Sequence, residues 1–196
     1  MRKSRVETAK TRERIVKAAG AEFAANGISD AALAGVMAAA GLTHGGFYRH
    51  FASKDQLVRE AFSKTVLSLI ASFKLLISGK PHEQALGLLV GRYVSRAHRD
   101  QPRTGCPLAA LGSELARRDA RTRHAAMEGF LQLSGLIASH LETVPSRKRA
   151  QMSMAIVSAM VGAIVLARIA PDSRTSDSVL AATHDYIIRF VRRQRQ

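Results

Sequence analysis

The sequence has little of the residue types on which several protein classes depend. Its 196 residues include one cysteine, five prolines and no tryptophan. A single cysteine excludes an intrachain disulfide framework and a cysteine-rich zinc or iron–sulfur site, and it is typical of a reducing compartment. The N-terminus is basic but no apolar segment follows it, so a secretory signal is not expected. These absences predict a cytoplasmic protein.

Strand patterns and catalytic motifs are also missing. No run of alternating β-branched residues is bounded by turns, and hence no strand is present that could precede a phosphate-binding loop. The seven histidines form neither a His-x-x-His nor a His-Glu-x-x-His pattern, and no Gly-x-Ser-x-Gly elbow occurs. We therefore expect no metal site, no cofactor and no enzymatic activity.

Positive charge dominates the sequence. The 30 lysines and arginines oppose 15 acidic residues, and the formal net charge of +15 favours an anionic partner. The densest basic cluster lies near the N-terminus and consists of Arg2, Lys3, Arg5, Lys10, Arg12, Arg14 and Lys17. Most of the excess falls beyond residue 55, where a solvated arginine-rich surface is an equally good interpretation. The charge alone also leaves open a helical protein that binds anions or a membrane surface.

Apolar residues recur at helical spacing along nearly the whole chain, which predicts an all-α fold of about nine helices. The expected helices cover approximately residues 7–25, 31–40, 43–50, 53–77, 82–98, 107–118 and 119–142, followed by one from 145 and one after a break at 171–176. Thr43, Ser53 and Asp119 are the expected N-caps of the helices that they begin. Ser29 or Asp30 is the expected N-cap of the second helix.

One stretch without charge, residues 150–167, is long enough to cross a membrane. It is only mildly hydrophobic, because alanine, serine and glycine make up much of it. A helix that is apolar all round is otherwise one that is buried on two sides. Ala155, Ala159 and Ala163 would let another backbone approach closely. We expect this helix to pack against its own domain on one face and against a second subunit on the other, with no membrane involved.

Residues 31–51, AALAGVMAAAGLTHGGFYRHF, have the pattern of a helix-turn-helix, in which a tight glycine-containing turn joins two short helices. Gly45 and Gly46 fall inside the second of these helices, where each costs about 1 kcal/mol relative to alanine. Two such costs in one short helix indicate that a partner must come close to the backbone. A phosphate or a base edge of DNA is the natural candidate. The alternative is a solvent-exposed helical hairpin.

The run from Gly41 to Leu57, GLTHGGFYRHFASKDQL, resembles the recognition-helix signature of the TetR family of bacterial transcriptional regulators. The preceding helix, with its apolar stripe from Ile15 to Phe23, is similar to that family's pattern as well. The resemblance covers about the first 57 residues. The sequence departs from the family at residues 31 and 32, where two alanines stand in place of the usual hydroxyl residues.

The resemblance implies a three-helix helix-turn-helix DNA-binding domain over residues 1–52 and a larger helical effector-binding and dimerisation domain over residues 53–196. It also implies a homodimer, built mainly from the last two long helices, that binds a palindromic operator on double-stranded DNA. Repression that a small-molecule effector releases is the usual mechanism of the family. The chain would then be a transcriptional regulator rather than an enzyme.

The expected DNA contacts lie in and after the turn. Thr43 and His44 begin the recognition helix, where side chains meet base edges in the major groove, although His44 could equally be a plain surface histidine. Tyr48 and Arg49 are expected to reach phosphates, and the Tyr48 ring also suits a core position. Lys54 lies in the first turn of the next helix, where an ammonium and backbone N–H groups together suit phosphate. The complete set is Thr43, His44, Gly45, Gly46, Tyr48, Arg49 and Lys54.

The effector is expected in an apolar pocket of the larger domain. The candidate lining residues, each of which also suits plain core, are Phe62, Phe73, Tyr93, Cys106, Met127, Phe130 and Met154. Cys106 begins a predicted helix beside Arg103, and both features favour a reactive thiolate, so one hypothesis is a sensor of oxidants or electrophiles. The other hypothesis is a buried small hydrophobe.

Overall fold

The computed structural model describes residues 5–142 and 144–194, and these residues form nine α-helices and no strand. The all-α prediction is therefore confirmed. The helices are α1 (Arg5–Asn26), α2 (Leu33–Ala39), α3 (Lys54–Leu76), α4 (His82–Tyr93), α5 (Arg96–Asp100), α6 (Pro107–Leu115), α7 (Ala120–Ala138), α8 (Ser146–Ile169) and α9 (Ser173–Arg193). Two short 3₁₀ segments, His44–Arg49 and Pro102–Thr104, precede α3 and α6.

The chain divides into two compact units. The first unit comprises the residues up to Val66 together with Pro102–Met127, and the second comprises Leu67–Gln101 together with the residues from Glu128 onward. Both α3 and α7 begin in the first unit and end in the second. The domain boundary expected between residues 52 and 53 stays a prediction.

In the first unit, α1 packs against α2 and α6. Ile15, Ala19 and Phe23 recur every fourth residue and are at most 1% exposed, so they place one apolar stripe of α1 in the core. The helix ends at Asn26, and Gly27 follows it. Gly27 has a φ of 79°, a left-handed conformation that favours glycine at the C-terminus of a helix.

In the second unit, α8 packs against α9. The buried face of α8 consists of Met152, Ser153, Ile156, Val157, Met160, Ala163, Ile164 and Ala167. The next helix, α9, follows Asp172, whose carboxylate accepts the N–H of Thr175 at 2.8 Å. This hydrogen bond holds the pKa of Asp172 below its usual value. The prediction that one face of the uncharged helix packs within its own domain is confirmed.

Among the described residues, α8 is also the one helix that is long and apolar enough to cross a membrane. Its most apolar window has a mean hydropathy of 2.0, and 44% of that window is buried inside the protein. Length and composition are weak evidence for a span, because core helices of soluble proteins meet the same criteria.

The helix predicted over residues 82–98 is interrupted, so that prediction was wrong: α4 ends at Tyr93 and α5 begins at Arg96. The Ser95 hydroxyl accepts the N–H of His98 at 3.2 Å and caps α5. The buried His98 ring then donates from Nδ1 to the carbonyl of Tyr93 at 2.7 Å. Burial lowers the pKa of His98 to about 4, so the ring is neutral near pH 7. Apolar periodicity does not encode such side-chain bonds.

Two of the predicted N-caps are confirmed. The Ser53 hydroxyl accepts the N–H of Gln56 at 3.1 Å, and the Asp119 carboxylate accepts the N–H of Thr122 at 2.6 Å. The second helix differs, because Ala32 occupies its N-cap position and no side chain caps it. The predicted caps, Ser29 and Asp30, therefore do not cap α2.

Candidate nucleic-acid interface

An apolar cluster holds the helix-turn-helix from beneath. Phe47 is fully buried, Phe51 is 2% exposed, and their rings stack with centroids 5.6 Å apart. Val36 and Met37 of α2 are fully buried as well. Both phenylalanines are therefore core residues, and the cluster fixes which side of the following residues faces outward.

Gly41 makes the turn of the motif with a φ of 70°. The N–H groups of Gly41 and Leu42 donate to the carbonyls of Ala38 and Met37, each at 2.9 Å. These two bonds form a Schellman motif, which closes the C-terminus of α2. A β-carbon at position 41 would have no neighbouring atom within 4 Å, so the backbone conformation and not packing requires glycine there.

The element predicted as an α-helix over residues 43–50 is the 3₁₀ segment His44–Arg49, which we call the recognition segment. Its bonds span three residues: the N–H of Gly46 donates to Thr43 at 3.1 Å, and that of His50 to Phe47 at 2.9 Å. Two adjacent glycines weaken the preference for an α-helix, and 3₁₀ winding is common in short pieces. The prediction was right in position and wrong in the type of helix.

Four of the predicted DNA contacts form the outer surface of this motif. Thr43, His44 and Arg49 are exposed, and Tyr48 is 69% exposed with its ring packed at 84° against Phe47. A core position for Tyr48 is therefore wrong. Thr43 precedes the recognition segment but its side chain makes no capping bond. The predicted cap is thus wrong, and the hydroxyl is available to another partner.

Neither glycine of the recognition segment is required by the protein itself. Their φ values are not positive, unlike those of the three glycines in left-handed conformations. A β-carbon at Gly45 would have no neighbouring atom within 4 Å, and one at Gly46 would make only an ordinary contact of 3.6 Å with Met37. Internal packing and backbone geometry therefore do not require glycine at either position, and the close approach of a phosphate or base edge stays a prediction.

Lys54 begins α3 as predicted, but its ammonium contacts the chain itself. Nζ donates to the carbonyl of Ala31 at 2.8 Å and approaches that of Ser29 at 3.4 Å. Burial lowers the pKa of Lys54 from its usual value, and the positive charge of Arg118 acts in the same direction. The lysine therefore holds the segment that leads into α2, and its contact with phosphate stays a prediction.

Arg12, expected only as a member of the N-terminal basic cluster, has a structural role that the sequence did not reveal. Its guanidinium lies over the Phe51 ring, 4.5 Å from the centroid, and forms hydrogen bonds to both carboxylate oxygens of Glu60. It thereby joins α1 to α3 and its charge is paired. The cluster's Arg2 and Lys3 lie outside the described residues.

Glu114 of α6 is a second residue that the sequence did not single out. Its Oε2 accepts the N–H groups of Ile28 and Ser29, both at 2.9 Å, in the turn between α1 and α2. A β-carbon on Gly27 would lie only 2.8 Å from Oε1 of the same carboxylate. Glutamates are common on helix surfaces and this one is remote in sequence from the motif, so no local signal marks it.

The seven effector-pocket candidates are distributed over both units. Phe62, Cys106 and Met127 belong to the first unit, and Phe73, Tyr93, Phe130 and Met154 to the second. The structure brings Phe73 and Tyr93 together, with both rings buried and their centroids 6.3 Å apart. Met127 is 55% exposed and is not a core residue. Cys106 is 1% exposed, which matches the hypothesis of a buried small hydrophobe.

Two surface cavities lie in the second unit. One is a groove of about 380 Å³ between α3 and α7, beside Leu67, Lys74 and Leu136. The other, of about 400 Å³, lies around Arg99 and Arg168 near the start of α9. None of the seven candidate residues lines either cavity, so the effector pocket stays a prediction.

Two family models match the chain. Residues 15–61 match the model for bacterial regulatory proteins of the tetR family. Residues 83–181, about half of the chain, match the C-terminal domain of LmrA/YxaF-like transcriptional regulators. The first match contains the complete helix-turn-helix described above. A comparison with curated proteins gives no significant match.

Solved structures share the fold over nearly the full length of the chain. A TetR transcriptional regulator from Chloroflexus aurantiacus is 26% identical, with a TM-score of 0.76 and coverage of 92% of this chain and 96% of that one. A regulator of the same family from Cytophaga hutchinsonii is 19% identical, with a TM-score of 0.78 and coverage of 95% and 96%. Another from Agrobacterium tumefaciens is 18% identical, with a TM-score of 0.75 and coverage of 91% and 97%. The geometry of the helix-turn-helix and the two family matches lead to one conclusion: the chain belongs to the TetR family of bacterial transcriptional regulators.

Proposed function

We propose that this regulator is a ligand-responsive repressor that binds a palindromic operator as a homodimer in the cytoplasm. A small-molecule effector, bound in the helical C-terminal domain, releases it from DNA. The observation that carries the proposal is the exposure of Thr43, His44, Tyr48 and Arg49 above a buried phenylalanine pair. No cofactor and no catalytic step belong to this function.

The exposed side chains divide by chemistry into two groups. Thr43 precedes the recognition segment and His44 begins it, and both side chains can exchange hydrogen bonds with base edges in the major groove. Tyr48 and Arg49 carry a hydroxyl and a guanidinium that suit phosphate oxygens, which fix position without reading sequence. The glycines at 45 and 46 let the backbone come close to the DNA between these groups.

The proposed dimer interface is built mainly from α8 and α9, and on α8 it uses the exposed face. The exposed residues of this face are Gln151, Ala155, Ser158, Ala159, Leu166 and Ile169. They recur at helical spacing and include both small and large apolar side chains, a composition that suits close packing against a second copy. Ala163, which the sequence placed with this group, is 3% exposed and faces the core of its own protomer.

A competition between duplexes tests the proposed function. The chain should bind an operator taken from its own promoter region about a thousandfold or more tightly than random duplex of equal length. A helical protein that used its charge to bind anions or a membrane surface would bind both duplexes equally. Equal affinity, measured at one fixed salt concentration, would therefore replace our proposal with that alternative.

Replacement of His44 by alanine is expected to weaken operator binding by about 1–3 kcal/mol and to relax the preference at one base position per half-site. The reason is that His44 is an exposed hydrogen-bonding side chain in the part of the motif that enters the groove. The measurement is a binding series over operators with single-base changes.

Truncation of the N-terminal arm, residues 1–5, is the control for His44→Ala. Residues 1–4 of the arm lie outside the described residues. The truncated chain should bind operator and random DNA more weakly by the same factor, because phosphate contacts carry no sequence information. If truncation alters the base preference while His44→Ala does not, the N-terminal arm and not His44 recognises the operator sequence.

Lys54→Ala is expected to weaken binding to all duplexes and to lower the slope of log affinity against log salt by about one unit. The ranking of sequences should not change. The same variant also loses the bond to the Ala31 carbonyl, so its thermal unfolding is measured in parallel. A lower stability with an unchanged salt slope would assign Lys54 a purely structural role.

A further inference from the structure

Two histidines and a glutamate of the second unit meet at one place on its surface. His82 begins α4, and His140 and Glu142 follow α7. The two imidazoles face each other with 3.1 Å between their Nδ1 atoms, and Nε2 of His82 lies 3.2 Å from a carboxylate oxygen of Glu142. Nothing in the proposed DNA-binding function uses these residues.

The separation of the two nitrogens suits the ligands of one metal ion. Two nitrogens that each lie about 2.05 Å from a metal are about 2.9 Å apart at a right angle and about 3.3 Å apart at a tetrahedral angle. The observed 3.1 Å falls between these values. Both side chains are partly exposed, so an ion from solvent has access.

The carboxylate beside the two histidines also favours a metal site. A histidine that binds a metal through one nitrogen commonly directs its other N–H to a carboxylate, which orients the ring and raises its basicity. Glu142 occupies that position relative to His82.

We propose that His82 and His140 form a surface site for a divalent transition-metal ion, supported by Glu142. No group of three or more potential ligand side chains is positioned for a metal in the described part of the chain, so water fills the remaining coordination positions. Two imidazoles select Cu²⁺, Ni²⁺ or Zn²⁺ and not Mg²⁺ or Ca²⁺, which prefer oxygen ligands. A bound ion would tie the start of α4 to the segment after α7.

Calorimetric titration of the untagged full chain with NiCl₂ and ZnCl₂, after removal of metals with a chelator, tests the site. The wild-type chain should bind one equivalent of either ion. His82→Ala and His140→Ala should each weaken that binding by at least about tenfold, because each removes one of two ligands. MgCl₂ should produce no binding.

The matched control is His184→Ala. His184 is another partly exposed histidine of the second unit with a neighbouring carboxylate, since its Nδ1 lies 3.1 Å from Asp185, but no second imidazole accompanies it. This variant should bind the metal as the wild-type chain does. The site is refuted if either of the first two variants keeps wild-type affinity, or if His184→Ala loses as much affinity as they do.

Electron paramagnetic resonance of the Cu²⁺-loaded chain gives a second, independent readout. Two equatorial imidazole nitrogens should produce hyperfine coupling from two nitrogens, and each histidine variant should reduce this to one. Glu142→Gln should keep both nitrogens and weaken affinity by about tenfold. A wild-type spectrum without two-nitrogen coupling would mean that the close approach of the rings is only a hydrogen bond between imidazoles.

Discussion

Ala159→Arg is expected to convert the dimer into monomers at micromolar concentration. Ala159 is exposed on the protomer and lies at the centre of the α8 face that carries Ala155 and Leu166. In the proposed dimer this face is buried against a second copy, where an unpaired arginine would cost about 3–5 kcal/mol. Sedimentation velocity measures the result directly.

Ala71→Arg provides the control for the dimer experiment. It introduces the same side chain at another exposed alanine, on α3, and should leave the mass in solution unchanged. The Ala159 variant should also lose most of its operator affinity, because one helix-turn-helix then binds one half-site alone. A variant that remains dimeric would place the interface on another surface.

Phe47→Ala is expected to destabilise the first unit by about 3–5 kcal/mol and to abolish operator binding at ordinary protein concentrations. The side chain is fully buried, stacks on Phe51 and contacts the Tyr48 ring, so its removal leaves a cavity beneath the recognition segment. Urea unfolding followed by circular dichroism gives the change in stability, and a gel shift gives the change in DNA binding.

Tyr48→Phe is the natural comparison, since the two aromatic residues are adjacent and differ in exposure. Tyr48 is 69% exposed, so loss of its hydroxyl should change stability by no more than about 0.5 kcal/mol while it weakens binding to all duplexes. Comparison of the two variants thus separates the packing of Phe47 beneath the recognition segment from the contact of the Tyr48 hydroxyl with DNA. A Phe47→Ala variant with unchanged stability would contradict the packing described above.

The sequence predicted the fold class and the position of the helix-turn-helix, because both are expressed locally. Helical spacing places Ile15 and Phe23 on one stripe, and the turn at Gly41 requires a residue type that is visible in the sequence. The resemblance to the TetR family rests on such a local run, and the family models confirm it. Local chemistry was also enough to identify the caps at Ser53 and Asp119.

The features that the sequence did not reveal, and the structural predictions that were wrong, depend on partners that are distant in sequence or on fine backbone energetics. The approach of Lys54 to the Ala31 carbonyl and the bonds of Glu114 to the α1–α2 turn join residues that no spacing rule connects. The recognition segment has 3₁₀ rather than α winding, and its two glycines weaken the preference for an α-helix. The break before Ser95 depends on a histidine side chain that bonds to a carbonyl.

The Glu114 carboxylate also limits the order in which the motif can change by mutation. Any residue other than glycine at position 27 would bring a β-carbon to 2.8 Å from this carboxylate and would itself be strained at a φ of 79°. A lineage that first shortens or replaces Glu114 gives up two bonds to the α1–α2 turn and gains space. Substitution at 27 becomes easier after that step, while the left-handed φ still strains any side chain there, so the two positions, remote along the chain, should vary together among descendants of this sequence.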